Sequence, residues 1–516
     1  MKTVKATRRQ LFQAAAAVAA TAATARIQMN AHAAEGDALR IRMPGDIQVL
    51  DPGYMIGGTE TTVQFATLPR LARPVFDGEW GWVASDYVSQ LEQVDELNIA
   101  FTLKPGFQWS DGFGELTAED VKFSFERMPE SDWGGRWSAL DRVDVTDTYS
   151  GVIVLKEPSV PLWLIAISSE SGSILSKAAT EAVGGRFTTE LPAQCGPYRM
   201  TEWVQKQYLV FESNPDWQGE PPAFGEVRMI SIEDDKTAEL AFESGDVDMT
   251  GLTADSLARL RDSPPPGSVI VTRDGPYETW IGMNTEHPKL QDIRVRKAIQ
   301  RAIDTEAILQ AAYAGAAPPS HGIVPLGVLG NRSSSNYSYD PQAARNLLAE
   351  AGVSDLSLQL TTLNQKERLA TAQIVQSNLV DVGIGLEIDP VDSGTFWSLG
   401  LESEGDDWKT LEMWIMTYVG SPDPADHMQW FVKDQIGIWN WERWSDPEFE
   451  ELWAQGLVEQ DPKTRADIYV RMQEIMEDTG AYVWLTHDPL AYLHRDSFVP
   501  ELDPAGIALV YGFTPS

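Results

Sequence analysis

The sequence predicts α/β lobes. Short runs of β-branched and aromatic residues alternate with helix-start signals along most of the chain, no internal repeat interrupts them, and 43% hydrophobic residues suffice for a sizeable core. At 516 residues the length suggests about three domains. The β-rich runs, in order, are Ile99 to Leu103, Gly151 to Lys156, Tyr208 to Glu212, Val269 to Arg273, Thr279 to Asn284, Leu356 to Leu363 and Leu386 to Val391. Between them, Thr117 stands as an N-cap with Asp120 at the third helical position, opening a helix through Phe125. Asp292 caps a second helix, in which Val295, Ile299 and Ile303 share one face while Arg294, Arg296, Lys297 and Arg301 take the other sides. Asp340 and Pro341 start a third, which stops at Gly352. A last long helix runs from about Lys463 to Asp478, ending near Gly480. Pro264 to Gly267 and the Gly/Ser/Asn-rich stretch from Gly327 to Ser338 read as surface loops.

Charge and chain start narrow the function. The 76 acids against 40 bases, a net −36, argue against a nucleic-acid partner, whose phosphates need clustered Lys and Arg. Residues 1–34 hold Lys2, Lys5, Arg8, Arg9 and Arg26 but no acid, with a small apolar run from Leu11 to Ala25 and Ala31-His32-Ala33 as a cleavage site. That pattern is a removable export signal, and Thr7-Arg8-Arg9-Gln10-Leu11-Phe12 resembles the twin-arginine type, with an ordinary secretory signal as the alternative. The processed chain is then expected to be soluble and outside the cytoplasm.

Reactive motifs are absent or weak. No two of the six histidines have the i, i+4 spacing of a zinc protease, and no metal or cofactor is expected. Cys195, the only cysteine, precedes a Gly-Pro turn and reads as a small buried side chain rather than a nucleophile. Gly383-Ile384-Gly385 reads as a turn into a strand, not a phosphate loop. With 76 acids, no Asp/Glu pair stands out as a general acid and base. The informative feature is aromatic: Trp397, Trp408, Trp414, Trp430, Trp439, Trp441 and Trp444 crowd into residues 390–450, as core or as the wall of a ligand cavity.

The stretch FTLKPGFQWSDGFGELTAEDVKFSFERM, Phe101 to Met128, resembles the signature region of family 5 solute-binding proteins, the dipeptide, oligopeptide and nickel receptors of ABC importers. Further landmarks follow in the family's order: Leu50-Asp51-Pro52, CGPYRMTEW, SNPDWQGEPP, LAFESGDVD, MNTEHPKLQDIRVRKAIQRAID, YDPQAARNLLAEAG and RADIYVRMQEIMEDTGAYVWL. The resemblance implies a type II periplasmic-binding-protein fold, two α/β lobes around a ligand cleft, with an extra subdomain inserted in lobe I. Lobe I would comprise residues 35–52, 193–275 and 486–516, the insertion 53–192 and lobe II 276–485, with chain crossings near Trp280 to Asn284 and near His487. It also implies a monomeric, non-catalytic periplasmic receptor that passes a peptide-like or other small organic solute to an inner-membrane permease. Oligosaccharide, opine and cationic amine are competing ligands, and a secreted hydrolase is the competing class.

Peptide receptors of the family hold the peptide ammonium with an aspartate four residues before a proline. Counting back from Pro424 lands on Gly420, so that acid is missing, and Asp423 is the nearest replacement. Nor does a histidine directly follow Asp423-Pro424, as it does in the nickel receptors; His427 comes later. Carried over on this basis, Tyr54, Trp280, Trp397, Trp414, Tyr418, Ser421 and Asp423 are expected to line the cleft.

Overall fold

A computed structural model describes residues 38–54, 57–76 and 80–516. The expected export signal, residues 1–34, lies outside the described residues. Among the described residues no helix is long and apolar enough to cross a membrane.

Two sheets organise the chain. The first has seven strands, in the order Ser268–Arg273, Leu490–Arg495, Met249–Gly251, Ala38–Met43, Glu226–Ser231, Tyr208–Ser213 and Tyr198–Val204; it founds lobe I. Ala38–Met43 and Met249–Gly251 run parallel with Ile41 opposite Met249, and Leu490–Arg495 pairs antiparallel with the strands on both its sides. The second sheet, of lobe II, has five strands in the order Gly385–Val391, Ser357–Leu363, Met413–Val419, Tyr277–Met283 and Tyr482–Thr486. The strands of residues 72–155 join neither sheet. They form a two-stranded hairpin, Ala72–Phe76 with Trp80–Ala84, and a four-stranded antiparallel sheet from Val88 to Leu155. Their hydrophobic residues nevertheless share one continuous core with lobe I, in which Ile99, Phe101, Phe125 and Trp137 belong to the same cluster as Ile41, Tyr198 and Phe211.

The chain crosses between the lobes at Asp274–Pro276 and at His487–Pro489. The first crossing comes a few residues before the expected Trp280 to Asn284, because those residues lie in and just after the strand Tyr277–Met283.

Lobe II shows how strand periodicity sorts side chains. Successive residues of a strand point to opposite faces. Ile281, Met283, Met413 and Ile415 therefore face the helices Ile293–Ala302 and Lys366–Asp381, while Trp280, Trp414, Met416 and Tyr418 face the helix Pro462–Asp478 with its Ile468, Tyr469, Met472 and Met476. In the helix Ile293–Ala302, Arg296 departs from the expected solvent side. It is buried, and its guanidinium donates to the carbonyls of Thr479, Leu290 and Gln291, tying the end of the long helix to the segment that leads into its own helix. The stretch Gly327 to Ser338 is irregular but is not a surface loop throughout: Arg332 is buried against Glu477 at 2.8 Å, and the Tyr337 hydroxyl accepts from the Trp484 N–H.

Candidate ligand cleft

A cavity of about 330 Å³ lies where both lobes meet. Lobe I and its insertion contribute three elements. The first is the opening turn of the helix Gly58–Thr67, whose N-cap Gly57 offers no side-chain oxygen to the helix end. The second is Trp133, Arg136 and the Ser168-Ser169-Glu170 turn; the third is the loop Asp503 to Ile507. Lobe II contributes Tyr277 and the segment Val419-Gly420-Ser421-Pro422, which follows the strand Met413–Val419.

Charge in the cavity is organised around Arg136. Its guanidinium lies over the Trp133 ring at 4.3 Å, donates to Glu170 Oε1 at 2.9 Å and approaches Asp426 Oδ2, on lobe II, at 3.8 Å. Burial works against its charge, but the Asp426 and Glu170 carboxylates more than compensate and raise its pKa. Asp426 is held below the usual carboxylate range although burial opposes it: Arg136 and His427 lie nearby, and the Ser421 N–H donates to it at 2.7 Å. Arg136 thus spans the cleft, and two carboxylates already share its charge. Asp503 differs. Burial pushes its pKa up to about 7, helped by Glu170 and opposed by the Ile507 N–H, which donates to Oδ1 at 2.6 Å, and by Arg273. The Ser168 hydroxyl, also on the lining, is buried without a partner among the described residues. The Ser421 hydroxyl, on the lobe II side of the lining, likewise has no hydrogen-bond partner among the described residues, so Asp503, Ser168 and Ser421 all have interaction capacity left for a ligand.

Gly420 explains the missing acid. A Cβ built there would stand 2.5 Å from His427 Cε1 and under 3 Å from both ring nitrogens, so no side chain fits. The imidazole is fully buried between Glu278 Oε2, 2.9 Å from Nδ1, and the Ser421 carbonyl, 2.8 Å from Nε2. Burial opposes its protonation, but Glu278 and Asp426 raise its pKa. An acid does stand at this point of lobe II, but as Glu278 against the histidine, and Gly420 itself offers the cavity only backbone.

Further contacts join the lobes. The Val160 N–H donates to the Leu457 carbonyl at 2.9 Å and the Trp80 N–H to the Gly327 carbonyl at 3.1 Å, while Lys366 pairs with Asp255.

The sequence model of the bacterial extracellular solute-binding proteins, family 5 (middle), matches residues 81–437. The chain belongs to that family. A probable D,D-dipeptide-binding periplasmic protein of Escherichia coli is 26% identical over 483 residues, covering 88% of this chain and 89% of its own. A putative ABC transporter peptide-binding protein of Brucella ovis is 27% identical over 368 residues, 68% of each chain. Among solved structures, the ABC transporter substrate-binding protein CtaP of Listeria monocytogenes superposes with a TM-score of 0.81 at 21% identity, covering 93% of this chain and 99% of the other. The two-lobed architecture is accordingly the type II periplasmic-binding-protein fold, with the extra subdomain in lobe I.

The expected site residues of this family 5 protein fall in different places. Ser421 lines the cavity. Trp280, Trp414 and Tyr418 do not: all three belong to the buried aromatic layer of lobe II, where the Trp280 indole Nε1–H donates to Glu442 and the Tyr418 hydroxyl to the Trp439 carbonyl. Trp397 is half-buried against Phe396 and Trp439, and Tyr54 lies under the Arg186 guanidinium at 3.5 Å; neither is on the cavity wall. Asp423 is 1% exposed and forks with Arg465 at 2.8 Å through both carboxylate oxygens, besides capping the helix Pro424–Met428. It is a structural acid and does not replace the missing one.

The residues that sequence reasoning passed over are Arg136, Glu170 and Asp503. Asp503 sits in Asp503-Pro504-Ala505-Gly506, a recognisable turn signal, and Arg136 follows Trp133-Gly134-Gly135. Neither pattern reveals that distant segments converge. Cys195 is buried, and burial raises its thiol well above the ordinary range, as suits the inert reading.

Proposed function

We propose that this chain is the periplasmic receptor of an ABC importer, exported through its twin-arginine-type signal. As a monomer it captures a short peptide-like solute between its lobes and presents the closed form to an inner-membrane permease. It carries out no catalysis; the solute leaves unchanged. Family membership and the peptide-binding names of the relatives support the class. The observation that carries the reading is Asp503, a cavity carboxyl that forms no ion pair among the described residues, the nearby Arg273 donating instead to its backbone carbonyl, beside an arginine already shared between two acids. Such a cavity favours an ammonium over an anion. Its size is near the low end of ligand pockets, roughly 300 to 1,000 Å³, which suits a di- or tripeptide better than a long chain.

The same carboxyl, flanked by Trp133 and Tyr277 on the lining, favours a cationic amine as the second reading. Calorimetric titration of the processed protein with free dipeptides, their N-acetylated forms and quaternary amines separates the two. Free dipeptides are expected to bind and be recovered intact, with acetylation weakening them at least a hundredfold. Equal binding of acetylated and free forms would overturn the ammonium assignment, and turnover of any of them would overturn the receptor class.

A further inference from the structure

A second cavity, about 230 Å³, lies behind the first, inside lobe I. It sits at the carboxyl ends of the two parallel strands, bounded by Ile41, Pro44, Met249 and Gly251, where open α/β sheets receive their ligands. The polar side chains on its wall are satisfied within the protein. The Thr59 hydroxyl donates to the Gly45 carbonyl, Thr62 to Gly58, Thr250 to Gly251 and Tyr492 to Gly506, and Arg42 reaches the carbonyls of Ile232 and Glu233 and the Asp235 carboxylate. What remains for a guest is apolar: Ile41, Met229, Met249, Ile507 and Ala508. Methionines give such a wall the capacity to adapt to different shapes.

The two cavities share Gly58, Ala505 and Ile507. Among the described residues, Ile507 supplies the one side chain larger than a methyl in this common wall. It packs directly on the helix start, since a Cβ at Gly58 would stand 3.4 Å from Ile507 Cγ1 and Cδ1. A change of Ile507 rotamer is a small movement, and the backbone of Gly58 adds no side chain behind it.

We propose that this inner chamber is the side-chain subsite of the receptor: it takes an aliphatic or aromatic side chain of the solute whose ammonium lies in the outer cavity, with Ile507 as the movable partition. The inference rests on the peptide reading above. The chamber is large enough for the task, since an apolar cavity of roughly 150 Å³ already accepts benzene. The solute class becomes short peptides with at least one Leu- or Phe-sized residue, and Ala- or Gly-only peptides are poor ligands.

The test titrates the processed protein with Ala-Ala, Ala-Leu, Leu-Ala, Ala-Phe and Phe-Ala, then repeats the series on Ala508→Phe, which fills the chamber from within. The best Leu or Phe dipeptide is expected to bind about tenfold or more tighter than Ala-Ala, and the ratio to fall within threefold in the variant. Met229→Phe fills the chamber from the sheet side and decides the matter if Ala508→Phe melts early. A preference that survives filling, or no preference at all in the parent protein, overturns the subsite and leaves the peptide reading standing. If none of the dipeptides binds, the subsite and the peptide reading fall together.

Discussion

Replacing Asp423 with alanine separates a structural acid from a ligand contact. Both carboxylate oxygens of Asp423 accept from Arg465 at 2.8 Å, and the same carboxylate caps the helix Pro424–Met428 through the Ala425 N–H at 2.9 Å. Arg465 is itself buried, and its Nε donates to the Gly456 carbonyl, so the guanidinium cannot swing out to water when its partner goes. Removing one member of a buried pair costs about 3 to 5 kcal/mol, because the other charge is left stranded. The lost cap contributes about 1 kcal/mol of the same order and is not independent of the pair. At about 1.4 kcal/mol per tenfold, the unfolded fraction rises roughly a hundredfold to several thousandfold. Urea titration followed by tryptophan fluorescence reads this as a lower midpoint. Asp423→Asn, which keeps the capping oxygen, should fall between alanine and the parent. Solute affinity, measured where the variant is folded, should stay close to the parent value. A variant with an unchanged midpoint and lost affinity would refute the assignment and return Asp423 to the cleft.

Other outcomes follow from the same geometry. Arg136→Leu leaves Glu170 and Asp426 facing each other across the lobes without their shared cation; it should weaken solute binding at least tenfold and shift the scattering profile of the solute-loaded protein toward an open form. Asp503, with its pKa raised to about 7 by burial, must lose its proton to pair with an ammonium. Affinity for a free peptide should therefore climb as pH rises to about 7 and then level off, with proton release seen in buffers of different ionisation enthalpy, and Asp503→Asn should flatten the profile. Glu442 accepts from the Trp280 indole Nε1–H and is pushed up to about 8 by burial, so the folded state binds its proton more tightly than the unfolded state. Its contribution is fully present below about pH 4.5 and is lost as pH rises toward 8, at about 1.4 kcal/mol per pH unit; Glu442→Gln should remove that slope in melting curves. Gly420→Ala forces a methyl into the His427 ring and should cost about 1 to 3 kcal/mol, read as a fall in melting temperature, with much of the loss recovered in a His427→Ala background.

The elements were legible because their signals are local. Asp292, Asp340 and Thr117 cap helices where the residue pattern placed them, and the strand runs at Tyr208–Ser213 and Ser357–Leu363 match theirs. Trp280, Trp414 and Tyr418 were harder. Their period along two strands shows that Trp414 and Tyr418 share a face, but not which face looks onto the cleft and which onto the helix Pro462–Asp478. Arg296 misled for a related reason: a helical wheel assigns arginine to water, and only tertiary context supplies the three carbonyls that satisfy it inside. The cavity was the least legible part. Arg136, Glu170 and Asp503 are brought together by loops of three different regions, and no spacing in one segment encodes such a convergence.

The position of Leu490–Arg495 in the first sheet sets an order of events during synthesis. This strand lies between Ser268–Arg273 and Met249–Gly251, so both neighbours leave the ribosome with a bare edge that only a much later segment covers. At roughly 5 to 20 residues per second, the interval is on the order of ten to forty seconds, ample for the whole of lobe II to fold in between. Throughout it, the nascent chain exposes hydrogen-bonding edges that invite pairing with other chains. The loop carrying Asp503 emerges later still, so the capacity to hold a solute arrives together with the closure of lobe I, and no solute can act as a template for the folding that precedes it.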